Sequence, residues 1–330
     1  MQGGVGKTTA AVQLIRDPEV GAAFQRLLWV SVSQEPDMVH VLGRLYFQLK
    51  STKLPASDDE LDAVQLVKEA ARGIKALLVL DDCWEEKHAK LLNCVDAEVG
   101  SACVITTRVR NLGDGEISCG LLSEEESLSL LLTSAGLDHL IDNPPAAALE
   151  AVDCCGRLAL ALPIAGGMIR EMSDLWETEL VPLLKTELSD SLSVEGSIVN
   201  ASLRCVDKSQ RAGVEALFMS FGCFAEDEVV PSAAIDILAP IVCANAKAPT
   251  ASKLKIRQFM ASLLKGSLLS GSTAKGVSVH DLVRDVMIER VQASQGGMVA
   301  LQVHPQDPVA QFAALPPRNP YNTFNIYLLS

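Results

Sequence analysis

Aromatic side chains are scarce: they make up 4% of the 330 residues. The cores must therefore be built chiefly from Leu, Val, Ile and Ala, which a hydrophobic content of 48% supplies without covalent staples. Charged residues at 21% fall short of what wholesale disorder requires. Long apolar runs are missing as well. The longest, Leu158 to Ile169, is too short to span a bilayer and is bounded by Arg157 and Arg170. No apolar leader opens the chain, so no secretory signal is read. An excess of positive charge is also lacking. With 28 basic against 41 acidic residues the formal charge is −13, which argues against nucleic acid or an anionic membrane as the main partner. It leaves room for a local anion site. The nine cysteines contain no C-x-x-C and no zinc-type pairing, so they read as small buried hydrophobes in a reducing compartment. A soluble, cytoplasmic chain of roughly two domains is the expectation from these absences and from length.

What is present begins at once, with MQGGVGKTTAAVQLI. A loop that holds phosphate needs glycines so that consecutive N–H groups can turn inward without Cβ clashes. It also needs a lysine that reaches the β- and γ-phosphates and a hydroxyl for Mg²⁺. Gly3, Gly4, Val5, Gly6, Lys7, Thr8 and Thr9 supply these in order, and the helical stretch after them adds the positive end of its dipole. The full pattern G-x-x-x-x-G-K-[ST] places its first glycine where this chain has Met1, and no apolar strand precedes the loop. In such a fold that strand is central, so its neighbours would expose unpaired edges. The chain therefore reads as a fragment of a longer protein.

Downstream, strands and helices alternate. RLLWVSVS (Arg26 to Ser33) reads as a strand, and Met38 to Leu49 has helical spacing. A loop ends in helix-starting residues Ser57, Asp58, Asp59 and Glu60, and a helix from Leu61 closes on Gly73. Ala76 to Leu80 is a continuous apolar run, as in a parallel strand buried on both faces. Asp81 and Asp82 stand at its C-terminal end, where open α/β sheets place their ligands. In a nucleotide site the first acid would hold Mg²⁺ and the second would orient a water. A second buried strand, Ala102 to Ile105, ends in Thr106, Thr107 and Arg108, and a guanidinium there suits a γ-phosphate.

The pattern then turns helical. Ser123 and Glu126 form a capping box, and segments near 147–156, 158–172 and 174–188 have helical spacing. After FMSFGCFAEDEVVP come helices near 232–241 and 250–265, a hairpin in SLLSGSTAKGVSVHD and a helix in DLVRDVMIERV. Helices followed by a β-wing predict a small winged-helix domain. The expected division is a P-loop nucleotide-binding domain over 1–120, a helical domain over 121–200, a winged-helix domain over 201–290, and a linker or further start over 291–330.

GGVGKTT, LLWVSVS, LLVLDDCW, VITTR and VHDLVRDV, in this order, resemble the NB-ARC module of the STAND ATPases, the family of plant-type immune receptors and of the apoptosome scaffold. The resemblance covers residues 1 to about 290. It implies an α/β P-loop domain with a parallel sheet, then helical and winged-helix domains, and a switch that binds ADP or ATP with Mg²⁺. Carried over, Lys7 and the backbone from Gly3 to Thr9 hold the phosphates, Thr8 and Asp81 hold Mg²⁺, and Asp82 is the acid associated with slow hydrolysis. Arg108 detects the γ-phosphate, and His280 reaches the β-phosphate of ADP. ATP exchange then opens the molecule to homo-oligomers in defence or cell-death signalling. The triggering ligand and the downstream partner are not named by the sequence.

The chain departs from the family at several points. Val279 stands where the family has methionine, and Ala225 where it has proline. The glycine-leucine-proline-leucine element aligns in two registers, one placing Ala159 at the proline and the other using Pro163 as a pocket residue. Three rival readings remain. One is a partition-type ATPase, against which Gln2 stands where those enzymes carry lysine. Another is a DNA-binding regulator using Lys253, Lys255 and Arg257, and the last is a fragment that binds nothing.

Overall fold

Residues 3–56, 59–110, 112–113, 115–172, 174–190, 193–224, 229–245 and 252–293 are described by a computed structural model. They fall into two units, Met1–Gly120 and Leu121–Ser330. The first runs α1 (Lys7–Arg16), α2 (Pro18–Ala23), β1 (Arg26–Ser33), α3 (Met38–Lys50), α4 (Glu60–Ala71), β2 (Ala76–Cys83), α5 (Glu86–Leu92) and β3 (Ala102–Ile105).

β2 is the middle strand of a parallel sheet ordered β1-β2-β3, with Leu28 opposite Leu78 and Leu78 opposite Cys103. Its residues Ala76 to Leu80 are all buried, which explains the unbroken apolar run. β1 instead alternates, burying Leu28, Val30 and Val32 in the cluster that holds Val41, Leu42, Leu45 and Leu49 of α3. Gln48 of α3 secures this packing: Trp29 N–H donates to Gln48 Oε1 at 2.9 Å, and Gln48 Nε2 donates to Trp29 O at 2.8 Å. Two details differ from the sequence expectation. β2 runs on through both acids to Cys83, because Asp81 and Cys83 stay in register with Ser31 and Ser33. α4 is capped by Asp59, whose side chain accepts from Asp62 N–H at 2.9 Å. Ser57 and Asp58 lie outside the described residues.

The second unit contains α6 (Glu124–Ala135), α7 (Ala146–Cys154), α8 (Ala161–Glu171), α9 (Val181–Asp190), α10 (Val194–Cys205), α11 (Lys208–Ser220), α12 (Ser232–Asn245), α13 (Lys253–Lys265), β4 (Ser270–Ser272), β5 (Gly276–Ser278) and α14 (Asp281–Ala293). The capping box at Ser123 and Glu126 is formed in both directions. β4 and β5 make the antiparallel hairpin that leads into α14. α10 and α11 have no counterpart in the sequence reading. The inner face of α10 is lined partly by Gly196, Ser197, Ala201 and Ser202, small residues that hide the apolar period. α8 packs by its backbone: a Cβ on Gly166 would lie 2.7 Å from Leu131 O, and one on Gly167 would lie 2.8 Å from Lys265 O. Arg170 joins the same neighbours, donating to Ser134 O at 3.2 Å and to Lys265 O at 3.1 Å.

Among the described residues no helix is long and apolar enough to cross a membrane. The cysteines described are free thiols. Burial pushes Cys94 up to about 11, and burial with the neighbouring Cys83 and Cys94 pushes Cys103 up to about 12, so both stay neutral. Ala225 and residues 294–330 lie outside the described residues.

Candidate functional site

The loop before α1 turns on Gly4 at φ +68° and Gly6 at φ +96°, a region where a Cβ is strained. Buried Val5 anchors it between them. Gly6 is the N-cap of α1, no side chain caps that helix, and its first turn carries no acid. The leading N–H groups and the positive end of the dipole thus suit an acceptor from outside the helix, and an anion most of all. Lys7 and Thr8 are the first residues of that helix, with Thr9 next.

Thr8 Oγ1 donates to Asp81 Oδ1 at 2.9 Å, and Thr106 Oγ1 donates to the same oxygen at 2.5 Å. Asp81 is 2% exposed, so its charge depends on such donors. Thr106 is itself buried and held as a continuation of the ladder beyond β3, its N–H donating to Leu80 O and its carbonyl accepting from Cys83 N–H, each at 2.9 Å. Its hydroxyl also accepts from Asp82 N–H at 2.9 Å. Hydroxyl and carboxylate oxygens are hard donors, and the pair Thr8 and Asp81 fits Mg²⁺ by that chemistry.

Asp82 has φ +51°, and its Oδ2 accepts from Trp84 Nε1 at 2.9 Å. Arg108 reaches the same indole, its guanidinium carbon 4.9 Å from the ring centroid. The first unit therefore gathers Thr8, Asp81, Asp82 and Arg108 about the C-terminal end of the sheet. Thr106 and Trp84 complete the group. Sequence reasoning gave neither a role, although each lies two positions from a residue it had singled out: Thr106 from Arg108 in VITTR and Trp84 from Asp82 in LDDCW.

Pro163 and His280 belong to the second unit. Pro163 is the third residue of α8, where a missing N–H breaks no helical bond. His280 precedes α14, with Nδ1 accepting from Leu282 N–H at 3.3 Å and lying against the Asp281 carboxylate.

A model of the NB-ARC domain matches residues 2–139. The putative disease resistance protein At1g50180 of Arabidopsis thaliana is 25% identical over 95% of this chain, which covers 40% of that protein. The putative disease resistance RPP13-like protein 1 of the same plant is 32% identical over 54% of this chain and 18% of its own length. The putative disease resistance protein RGA4 of Solanum bulbocastanum is 31% identical over 51% of this chain, again 18% of that protein. The chain thus spans well under half the length of these curated relatives. Among solved structures, the Aeropyrum pernix ORC1 protein in complex with DNA overlays at a TM-score of 0.39 and 14% identity, over 87% of this chain and 84% of that one. The fold rests instead on the parallel sheet and glycine loop seen here, which are those of a P-loop NTPase with added helices. The segment that the NB-ARC domain model matches, residues 2–139, contains the whole network around Asp81, and the relatives that align with the chain are named as disease resistance proteins.

Proposed function

We propose that this chain is the nucleotide-dependent switch of a defence receptor, resting with ADP and activated by exchange for ATP. The observation that carries the proposal is the Asp81 carboxylate oxygen that takes the hydroxyls of Thr8 and Thr106 beside the glycine loop. In this proposal Lys7 and the N–H groups from Gly3 to Thr9 hold the β- and γ-phosphates, while Thr8 and Asp81 hold Mg²⁺. Bound Mg²⁺ would neutralise charge on the phosphate oxygens. Asp82 orients a water for a slow hydrolysis that resets the switch, and Arg108 detects the γ-phosphate. Pro163 lines the nucleotide pocket, and His280 serves the ADP-bound state from a winged-helix subdomain at 201–290, after a helical one at 121–200. ATP would favour homo-oligomers in defence or cell-death signalling, set off by a ligand and passed to a partner elsewhere in the receptor.

Calorimetric titration of the full chain with Mg·ADP and Mg·ATP tests the core of this. Binding that Lys7→Ala abolishes is the expected result. Failure to bind either nucleotide, or binding that Lys7→Ala leaves intact, overturns it. For the ADP-bound state, His280→Ala should lower bound ADP and shift ATP-loaded protein toward oligomers in size exclusion. Unchanged profiles remove His280 from the switch.

A further inference from the structure

Asp82 is held at two places, and each sets a different degree of freedom. Its backbone is left-handed, at φ +51°, and its N–H donates to Thr106 Oγ1 at 2.9 Å, which settles where the side chain leaves the main chain. The turn of the carboxylate is not settled by this, because the last torsion of an aspartate is broad and roughly two-fold. Trp84 settles it: the indole Nε1–H donates to Oδ2 at 2.9 Å. The indole is only half-buried, so its N–H could be given to water, and it is given to the acid instead. Trp84 has little freedom to leave, since it follows buried Cys83 at the end of β2 and α5 begins at Glu86.

With Oδ2 taken, the task of receiving a water falls to Oδ1. Hydrolysis joins the water oxygen to the γ-phosphorus and breaks the bond to the ADP oxygen, which keeps the electron pair. Both water hydrogens leave with the phosphate, which then returns one proton to solvent. Little covalent chemistry falls to the protein in such a step, so the rate depends on how well the water is placed. A carboxylate free to turn would offer either oxygen over a range of directions. One held by an indole offers a single oxygen in one direction.

We infer that Trp84 is a positioning residue for the hydrolytic step, fixing which oxygen Asp82 presents to the water. The inference rests on the switch proposed above, with Asp82 as its water-orienting acid. Trp84→Phe removes the N–H and keeps an aromatic ring in place. Steady-state hydrolysis of Mg·ATP by the full chain, titration with Mg·ADP and a thermal melt read its effect. The expected result is a fall of about tenfold in kcat, the scale of one hydrogen bond to a charged group, with KM, ADP affinity and melting temperature unchanged. A second measurement needs no nucleotide. The chain has three tryptophans, so its proton–nitrogen spectrum carries three indole N–H signals, and Trp84→Phe identifies the one from Trp84. Asp82→Gly, which tolerates the left-handed backbone, should move that signal upfield and leave those of Trp29 and Trp176 in place.

An unchanged kcat in Trp84→Phe overturns the inference, as does an indole signal that Asp82→Gly leaves unmoved. A fall in kcat matched by losses in ADP affinity and melting temperature marks a merely structural role and also overturns it. Wild-type protein that binds nucleotide without hydrolysing it overturns the role given to Asp82, and this inference with it. Wild-type protein that binds neither nucleotide overturns the switch itself, whereas normal wild-type turnover with an unmoved kcat in the variant removes only Trp84.

Discussion

The motif residues behave differently in the two units. In the first, Thr8, Asp81 and Thr106 converge on one carboxylate oxygen although they lie on separate elements, and Asp82, Trp84 and Arg108 continue from them. In the second, His280 turns to its own neighbours Asp281 and Leu282, and Pro163 occupies the first turn of its own helix. A parallel sheet aligns the ends of its strands, so polar residues distant in sequence meet along one edge. A helical unit disperses them into caps and first turns. Convergent groups should respond to substitution as a set, and dispersed ones singly.

The largest effect expected is from Thr106→Val, which takes a donor from buried Asp81 and an acceptor from Asp82 N–H. It should cost about 2–3 kcal/mol in denaturant unfolding. Beside Asp81→Asn the same change should cost less by roughly 1 kcal/mol, and strict additivity would break the claim of a shared network. Gly166→Ala should follow, at about 1–3 kcal/mol, because its Cβ would meet the backbone of α6. A neutral result would mean that α8 shifts freely. Alkaline pH comes next. Cys94 and Cys103 titrate higher in the folded protein than their ordinary value of 9.0, so the folded state keeps protons that the unfolded state loses. Their stabilisation is present below about pH 9 and should fall as pH rises toward 11. Cys94→Ala and Cys103→Ala should flatten that slope in a pH series of urea melts. Ser123→Ala should cost about 1 kcal/mol through the lost cap, measured the same way. Smallest of all is the coupling of Pro163→Ala with His280→Ala, whose stability effects should add within about 0.5 kcal/mol.

Much of this was legible in the chain. β1 and β3 were read at their observed limits because apolar, β-branched runs end in polar residues, and the Ser123 box was read from its spacing. The lysine loop and the two acids were legible as candidates because each has a local pattern. Thr106 was not, since its value depends on register. Ile105 pairs with Leu80, and only that pairing sets the next residue beside Asp81 and Asp82. Trp84 escaped for a related reason. A tryptophan after a buried strand reads as core until the partners of its N–H and its face are known. α10 was hidden by the buried serines Ser197 and Ser202, the first of which donates its Oγ to the carbonyl of the N-cap Ser193 at 2.8 Å.

The left-handed backbone at Asp82 bears on how this acid should be probed. Aspartate, asparagine and glycine enter that conformation more readily than alanine, which is disfavoured there by roughly 1 kcal/mol. An alanine scan would charge to the carboxylate a loss that belongs partly to the main chain, and it would disturb the N–H that Thr106 holds. Asparagine keeps the turn and removes only the negative charge. Glycine keeps the turn and removes the side chain. The two together separate chemistry from conformation at an acid where a routine substitution confuses them.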